Sequence, residues 1–455
     1  MTIFARRRLQ SMLDQLAPVL VEGKGKDILG RLNHPKNVEQ ALPAEMELAL
    51  LWAIHSLGDL EVEPEWWGDS KRPDAITDTL VPGRTVAIEI AATNDNAISG
   101  EEAMDAIALQ VSAAADRAEK GVGNFLYFTF REESGYLAGQ YIRRRLAPKG
   151  FMLPETLSKT VQDWVSSGRS ERERLRLQST GLDVEIERKA YRQTRYHNIH
   201  SSMPPETHSV DDNPLYDLLR RKKRQLKAAA EETLRILFIA DVGSSLLNRM
   251  GRMGWSDPMG RTVSGDQIIR HFIDTYAHDV DAVVVFSPTI ERSGWLGSNP
   301  TGRKPKYWSV TMFGTNALPQ IPEALDRIAA ILPTPHYEGY QARSLFRQGA
   351  FSPDKHGQYL GMTVTSNGKD NRYSIHFPAR LLVDLLAGRI TEEWFQNYHT
   401  SGGRNANLFA HWLNMGMTLS GAEMAPRSVD EDDDHIILHF SDDPAARPFK
   451  FQGTE

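Results

Sequence analysis

Two short segments near the start of the chain carry carboxylates on neighbouring predicted strands. The first, residues 72–75, reads Arg-Pro-Asp-Ala and contains Asp74; the second, residues 86–91, reads Val-Ala-Ile-Glu-Ile-Ala and contains Glu89. The turn sequence Val-Pro-Gly-Arg at residues 81–84 separates them, so the pattern predicts a β-hairpin. A hairpin that brings both acids to one end of a sheet can hold a divalent cation, because Mg²⁺ prefers oxygen ligands.

A simpler interpretation gives these acids no chemical role. Asp74 would be a turn residue after a proline and Glu89 an acid on an edge strand, as occurs in many α/β domains. The strand neighbours of Glu89 argue against this interpretation, because they are all apolar or small. A buried acid needs a partner, and a metal ion is one such partner.

The elements that would position the hairpin follow from the spacing of apolar residues. An amphipathic helix is predicted over residues 44–57 and a first strand over residues 60–66, both ahead of the hairpin. A second helix over residues 100–119 and a strongly hydrophobic strand over residues 124–130 follow it. The predicted order is therefore helix, three strands, helix and strand, which is an α/β arrangement.

The order and spacing of these residues resemble the PD-(D/E)XK nuclease superfamily, whose fold is restriction-endonuclease-like and whose motif begins with Pro-Asp. The resemblance covers roughly a fifth of the chain. It implies an αβββαβ core and an Mg-dependent endonuclease that hydrolyses phosphodiester bonds, in DNA more than in RNA. It also implies that Asp74 and Glu89 bind Mg²⁺ (or Mn²⁺). An acid from the first helix often joins the site in this family, and Glu47 fits because it sits one turn from Leu50 and Leu51 on the inward edge.

The sequence departs from the family at the motif lysine, which is expected two residues after the second acid. Ala91 stands at that position. The lysine normally orients or activates the attacking water, so another residue would have to supply its role. Gln110 on the second helix is our first candidate and Lys71 the second. The alternative is a catalytically degenerate nuclease-fold protein that acts as a nucleic-acid-binding or scaffold subunit.

Basic charge is concentrated after the predicted hairpin region. Residues 131–227 contain 20 Lys and Arg against 13 Asp and Glu, a net charge of +7, whereas the whole chain carries −6. Tyrosines interleave with the cations, a pattern that favours phosphate contacts and base stacking, although alternating charges also fit a solvated helix face. A helix that begins at Asn213 and Pro214 carries part of this charge. The candidate nucleic-acid-binding residues are Arg188, Lys189, Arg192, Arg195, Arg220, Arg221, Lys222, Lys223 and Arg224.

The length of 455 residues, with 40% hydrophobic content, allows two or three domains. We expect a nuclease-like domain over residues 1–196, a linker or long loop over 197–213, and a second, C-terminal α/β domain over 214–455. Within the first, residues 4–33 form a helical lead-in that we assign to packing or oligomerisation.

Several classes are disfavoured by composition. The absence of cysteine excludes disulfides and thiolate metal sites, and no apolar run approaches 18 residues. The N-terminus lacks the apolar core of a signal peptide. We therefore expect a cytoplasmic protein with no membrane partner. The resemblance further implies nucleic acid, DNA above all, and a homodimer or a partner protein, in a setting such as DNA repair or antiviral defence.

Overall fold

The computed structural model describes most of the chain. The described residues are 3–34, 38–67, 72–96, 98, 100–137, 140–190, 199–201, 207–247, 250, 262–290, 306–314, 320–337, 363–367, 372–392, 395 and 408–443. They divide into two compact units: residues 12–346 form the larger, and residues 3–11 with 347–455 form the smaller. None of the described helices is both long and apolar enough to span a lipid bilayer.

Helices and strands are mixed throughout, so the predicted α/β class is confirmed. The helices are α1 Arg6–Leu16, α2 Glu22–Leu32, α3 Val38–Leu57, α4 Glu101–Ala118, α5 Glu155–Ser166, α6 Pro214–Lys222, α7 Gly265–Thr275, α8 Ile321–Ile331, α9 Ala379–Leu386 and α10 Leu408–Asn414. The strands are β1 Glu61–Val62, β2 Ala75–Val81, β3 Arg84–Thr93, β4 Leu126–Phe130, β5 Glu132–Leu137, β6 Gln140–Arg145, β7 Leu175–Ser179, β8 Leu182–Arg188, β9 Ile199–Ser201, β10 Leu234–Asp241, β11 Ala282–Ile290, β12 Lys306–Gly314, β13 Thr363–Asn367, β14 Arg372–Pro378, β15 Met417–Met424 and β16 His435–Asp442.

A six-stranded mixed sheet forms the centre of the larger unit, in the order β1-β2-β3-β10-β11-β12. Strand β3 pairs antiparallel with β2 and parallel with β10. Its run from Val86 to Ala91 is buried throughout, because strands in the middle of a sheet are covered on both faces. The predicted hairpin of β2 and β3 is therefore present and lies inside the sheet.

The parallel connection from β3 to β10 requires a crossover, and α6 provides the helix that covers it. Leu215, Leu218 and Leu219 of α6 share a buried cluster with Ala91 of β3 and Leu237 of β10. The intervening chain forms a separate layer with a sheet in the order β7-β8-β4-β9, packed on α4 and α5.

The position of β4 differs from the predicted core. The order α3, β1, β2, β3, α4, β4 along the chain is as predicted. Strand β4, however, pairs with β8 and β9 in the second sheet, and β10 takes the place beside β3. The alternation of apolar residues in β4 fits either sheet, and Phe128 and Phe130 are buried against the α4 and α5 layer.

The units also differ from the predicted division at residues 197–213. Strands β10 to β12 lie beyond that segment in sequence but complete the sheet of β2 and β3. The smaller unit has its own four-stranded sheet, in the order β13-β14-β16-β15, with a core that includes Phe377, Trp412 and Phe440.

Candidate functional site

The β2–β3 hairpin brings Asp74 and Glu89 together. Ala75 lies opposite Ile88 in the ladder, so Asp74 stands beside Glu89 at the next position. Asp74 accepts a hydrogen bond from the backbone N–H of Ile90, with 2.8 Å between Oδ2 and N. Asp74 is 5% exposed and Glu89 0%. The structure therefore places this predicted pair at one point in the sheet, and both side chains are shielded from water.

Two lysines from distant parts of the chain neutralise this pair. Lys222, at the C-terminal end of α6, forms an ion pair with Oε1 of Glu89. Lys24, on α2, donates to Oδ1 of Asp74 over 2.7 Å. Lys222 was predicted as a phosphate contact and Lys24 as part of a packing segment, so sequence reasoning missed their roles here.

Glu47 reaches the site through Lys24. Its Oε1 lies 2.5 Å from Nζ of Lys24, and its Oε2 lies 2.8 Å from an Arg31 nitrogen. Arg31 in turn pairs with Asp27 one turn earlier on α2, at 2.6 Å. The α3 acid is thus in the cluster, as predicted, but its partners in the described part of the chain are cations of α2.

Glu63 is a further carboxylate of the site that sequence reasoning missed. It follows β1 with a backbone φ of 45°, and it is the non-glycine residue with positive φ among those described. Its Oε1 lies 3.0 Å from Nζ of Lys24. A glutamate in the left-handed region is strained by about 1 to 2 kcal/mol, and such strain clusters at functional sites. The signal in sequence is only a short acid-rich stretch after a strand.

The environment drives the pKa values of the two central acids apart. Burial raises the pKa of Glu89 well above its usual range, the charge of Asp74 raises it further, and Lys222 acts in the opposite direction. Burial also acts to raise the pKa of Asp74, but Lys24 and Lys222 outweigh it, and that pKa ends below its usual value. Two titratable groups with opposite shifts are typical of sites in which one group carries a proton and its neighbour does not.

The carboxylates of the site are suitable ligands for a hard cation, although in this structure they form ion pairs with lysines. In the described ranges, no three Asp, Glu or His side chains are arranged to hold a metal ion. The available donors are nevertheless carboxylate oxygens, which Mg²⁺ and Mn²⁺ prefer. Oε2 of Glu89 is buried and has no hydrogen-bond partner among the described residues. Asp74 and Glu89 are the residues that could hold such a cation.

Gln110 does not supply the lysine function. Its amide nitrogen donates to the Phe151 carbonyl over 2.9 Å, and its amide oxygen accepts from the Leu153 N–H over 2.7 Å. Both ends of the side chain therefore tie α4 to the segment before α5, away from the hairpin. This prediction was wrong because helix periodicity gave the inward face of α4 but not the layer that it faces. Lys71 lies outside the described residues.

Several of the cations that were predicted to bind phosphates form ion pairs with carboxylates of the chain. Arg188 pairs with Glu119 at 3.1 Å and Lys189 with Glu187 at 2.9 Å. Arg192 and Arg195 lie outside the described residues. At the end of α6, some of the predicted cations are paired with carboxylates and others are not.

On α6, Arg220 pairs with Asp217 at 2.9 Å, and Lys223, just after the end of α6, pairs with Asp279. Arg221 and Arg224 are exposed and have no ion pair within the described ranges. They lie next to Lys222, so the unpaired basic charge adjoins the buried acids.

A cleft of about 740 Å³ opens at the carboxyl end of β3, between α4 and α6. Arg221 lines it, but so do Glu39, Glu102, Asp105 and Asp217. The excess of acids makes this cleft a poor path for a phosphate backbone. Arg221 is nevertheless exposed, so it is available to a backbone that passes outside the cleft along the end of α6.

No family model, curated protein or solved structure matches this chain.

Proposed function

We propose that the larger unit is a metal-dependent nuclease that hydrolyses phosphodiester bonds, in DNA more than in RNA. The observation that carries the proposal is the buried pair of Asp74 and Glu89, side by side at the end of the hairpin with an oxygen left over. These two acids would hold Mg²⁺ or Mn²⁺. Such a cation lowers the pKa of a bound water and stabilises negative charge on phosphate oxygens.

Lys222 is our candidate for the function of the missing motif lysine. Ala91 and Ala87 pack with the leucines of α6, and side chains two residues apart on a strand share a face, so Glu89 also faces α6. A lysine on α6 therefore reaches the carboxylate that a lysine at position 91 would have adjoined. The Lys222 side chain is 21% exposed, so its ammonium can contact both Glu89 and an incoming water. We assign it the orientation of that water.

The substrate backbone would lie along the end of α6. Arg221 and Arg224 provide exposed charge there, and neutralised phosphates release counterions, which favours binding.

The test is cleavage of plasmid DNA, single-stranded DNA and RNA with Mg²⁺ or Mn²⁺. We expect Asp74→Asn and Glu89→Gln to abolish cleavage and Lys222→Met to slow it by roughly 10² to 10⁴, the range for a positioned orienting group. Lys223→Met is the matched control, because Lys223 is the next residue and pairs with Asp279 instead. The proposal fails if neither the wild type nor a Lys24→Met variant cleaves any of the substrates, or if Asp74→Asn cleaves at the wild-type rate.

The second candidate is a nuclease-fold subunit that binds nucleic acid without cutting it. Ala91 and the ion pairs of the two acids with Lys24 and Lys222 favour it. This candidate predicts salt-dependent binding in the absence of cleavage, unchanged by Glu89→Gln.

A further inference from the structure

We propose that Lys24 is a built-in cation that blocks the acidic site, and that α2 must withdraw it before a divalent metal ion can bind. The proposal rests on the proposed function in one respect: it concerns the regulation of the same carboxylates.

The contacts of Lys24 carry the argument. Its Nζ lies 2.5 Å from Glu47 Oε1, 2.7 Å from Asp74 Oδ1 and 3.0 Å from Glu63 Oε1. The ammonium donates a hydrogen bond to Asp74, and the oxygens of Glu47 and Glu63 lie within ion-pair distance of it. The carboxylates come from α3, from the segment after β1 and from the residue before β2. All three oxygens lie within 3.0 Å of the Lys24 ammonium, so Lys24 supplies the positive charge that balances them.

The lysine and a metal ion exclude each other. A divalent cation between Asp74 and its neighbours would need the oxygens that Lys24 holds, and two cations cannot share them at such short range. Without Lys24, four carboxylates, namely Asp74, Glu89, Glu47 and Glu63, would have Lys222 and Arg31 as their ion-pair partners among the described residues. The deficit of positive charge in a buried place creates a demand for a cation.

A second observation points to the same ligand from the other side. Oε2 of Glu89 is buried and unpartnered among the described residues, and Glu89 lies beside Asp74 in the β2–β3 ladder. Lys24 satisfies one side of Asp74 only. An incoming metal ion would also provide a partner for the Glu89 oxygen, which Lys24 does not.

Few buried residues hold helix α2 in place, so it can move and take Lys24 away from the acids. Of its 11 residues only Lys24 and Ile28 are buried. Gly23 and Gly25 flank the lysine, and neither has positive φ. An added Cβ at Gly23 would meet nothing within 4 Å, and one at Gly25 would make only a contact of 4.0 Å. Glycine lowers helix stability relative to alanine. These glycines therefore weaken the helix without a steric need.

The first test is a calorimetric titration of the full chain with MnCl₂. We expect Lys24→Met to bind Mn²⁺ at least about tenfold more tightly than the wild type, since one charged hydrogen bond in competition is worth that order. Its melting temperature should also rise with Mn²⁺ far more than that of the wild type, because a ligand of the native state stabilises it. Lys26→Met is the matched control: Lys26 is exposed on the same helix and pairs with Glu22 at 2.5 Å. Equal affinity in Lys24→Met and wild type would overturn the proposal.

The second variant guards against a Lys24→Met protein that does not fold. Gly23→Ala/Gly25→Ala leaves every site residue in place and strengthens α2. We expect a higher melting temperature without metal and weaker Mn²⁺ binding than in the wild type. Unchanged Mn²⁺ affinity in a variant with the higher melting temperature would also overturn the proposal.

The outcomes separate this inference from the proposed function. Tight Mn²⁺ binding by Lys24→Met without cleavage by any form of the protein supports the lysine block and removes the nuclease. Cleavage by the wild type, with Lys24→Met neither binding more tightly nor cutting faster, supports the nuclease and removes the block.

Discussion

Asp74 and Glu89 are neighbours with different chemical surroundings. Asp74 accepts from Lys24 and from the Ile90 amide, while Glu89 has Lys222 on one oxygen and no described partner on the other. Because burial acts on both, the number of nearby donors decides which acid keeps its charge. Asp74 is the charged member at neutral pH, and Glu89 holds a proton more readily than an ordinary glutamate.

This difference predicts a pH dependence of stability. The pKa of Glu89 is raised on folding, mainly by burial, so the folded state binds its proton more tightly than the unfolded state does. The contribution of Glu89 is fully present below its unfolded pKa of about 4.3 and is lost as the pH rises toward the folded pKa. We expect the free energy of unfolding of the wild type to fall relative to Glu89→Gln over that range.

Urea unfolding of both proteins at a series of pH values measures the effect. The shift of Asp74 has the opposite sign, and both proteins share it: its stabilising contribution is lost as the pH falls below about 3.9 toward its lowered folded pKa. Stability curves that stay parallel above pH 4.3 would contradict the Glu89 prediction.

The pairing of the two acids could be predicted at this scale, and their cationic partners could not. Alternating apolar residues around Glu89 and the turn at residues 81–84 fix the hairpin locally. Lys24 is 50 residues from Asp74, and Lys222 is 133 residues from Glu89. Such contacts follow from the packing of helices on the sheet, which local spacing does not encode.

At the scale of elements, α6 connects the sheet to the basic surface. Its start was predicted correctly: the side chain of Asn213 caps it by accepting from the Tyr216 N–H over 2.9 Å, and Pro214 occupies the first turn. Its apolar side packs on the central strands, while its last turn carries Lys222 inward and Arg221 outward. One helix therefore places Lys222 on the buried acids and Arg221 at the surface.

The exposed face of α6 gives a prediction about salt. If Arg221 and Arg224 contact phosphates, Arg221→Gln and Arg224→Gln should each lower the slope of log affinity against log salt by roughly 0.7 to 0.9. Fluorescence anisotropy with labelled DNA, between low and moderate salt, measures the slope.

Arg188→Gln is the matched control, because Glu119 already pairs with that guanidinium. If Arg188→Gln lowered the salt slope as much as Arg221→Gln and Arg224→Gln do, the end of α6 would have no specific role in phosphate binding.

The order of helices and strands near the hairpin was predictable, but several bounds and the sheet membership were not. The strand predicted over residues 60–66 is limited to Glu61–Val62, and the helix predicted from residue 44 begins at Val38. Apolar alternation identified β4 correctly as a strand. It could not show that Leu126, Phe128 and Phe130 pack against α4 and α5 instead of extending the central sheet. The partner of β3 is β10, and the whole second layer lies between them in sequence.

At the scale of the whole molecule, the central sheet combines segments from both sides of the predicted linker. Ile236 of β10 lies opposite Ile88 of β3, so the later strand covers an edge that would otherwise be apolar and unpaired. Polar composition at residues 197–213 was a misleading signal for a boundary, because connections within one unit are also polar.

This arrangement predicts the behaviour of fragments. A fragment of residues 1–196 should not fold cooperatively, since β3 would lose its parallel neighbour. A fragment of residues 12–346 should unfold in one transition, because it contains the whole sheet. Thermal unfolding followed by circular dichroism compares the two. A soluble 1–196 fragment with a sharp transition would contradict this account of the fold.

The separation of Lys222 from Glu89 also sets an order of events during synthesis. The ribosome must add 133 residues after Glu89 before the lysine exists, which takes roughly 7 to 27 s at the usual pace of 5 to 20 residues per second. Lys24, by contrast, precedes both acids and is available as soon as they emerge. A chain that is still being synthesised therefore contains Lys24, the partner of Asp74, before it contains Lys222, the partner of Glu89.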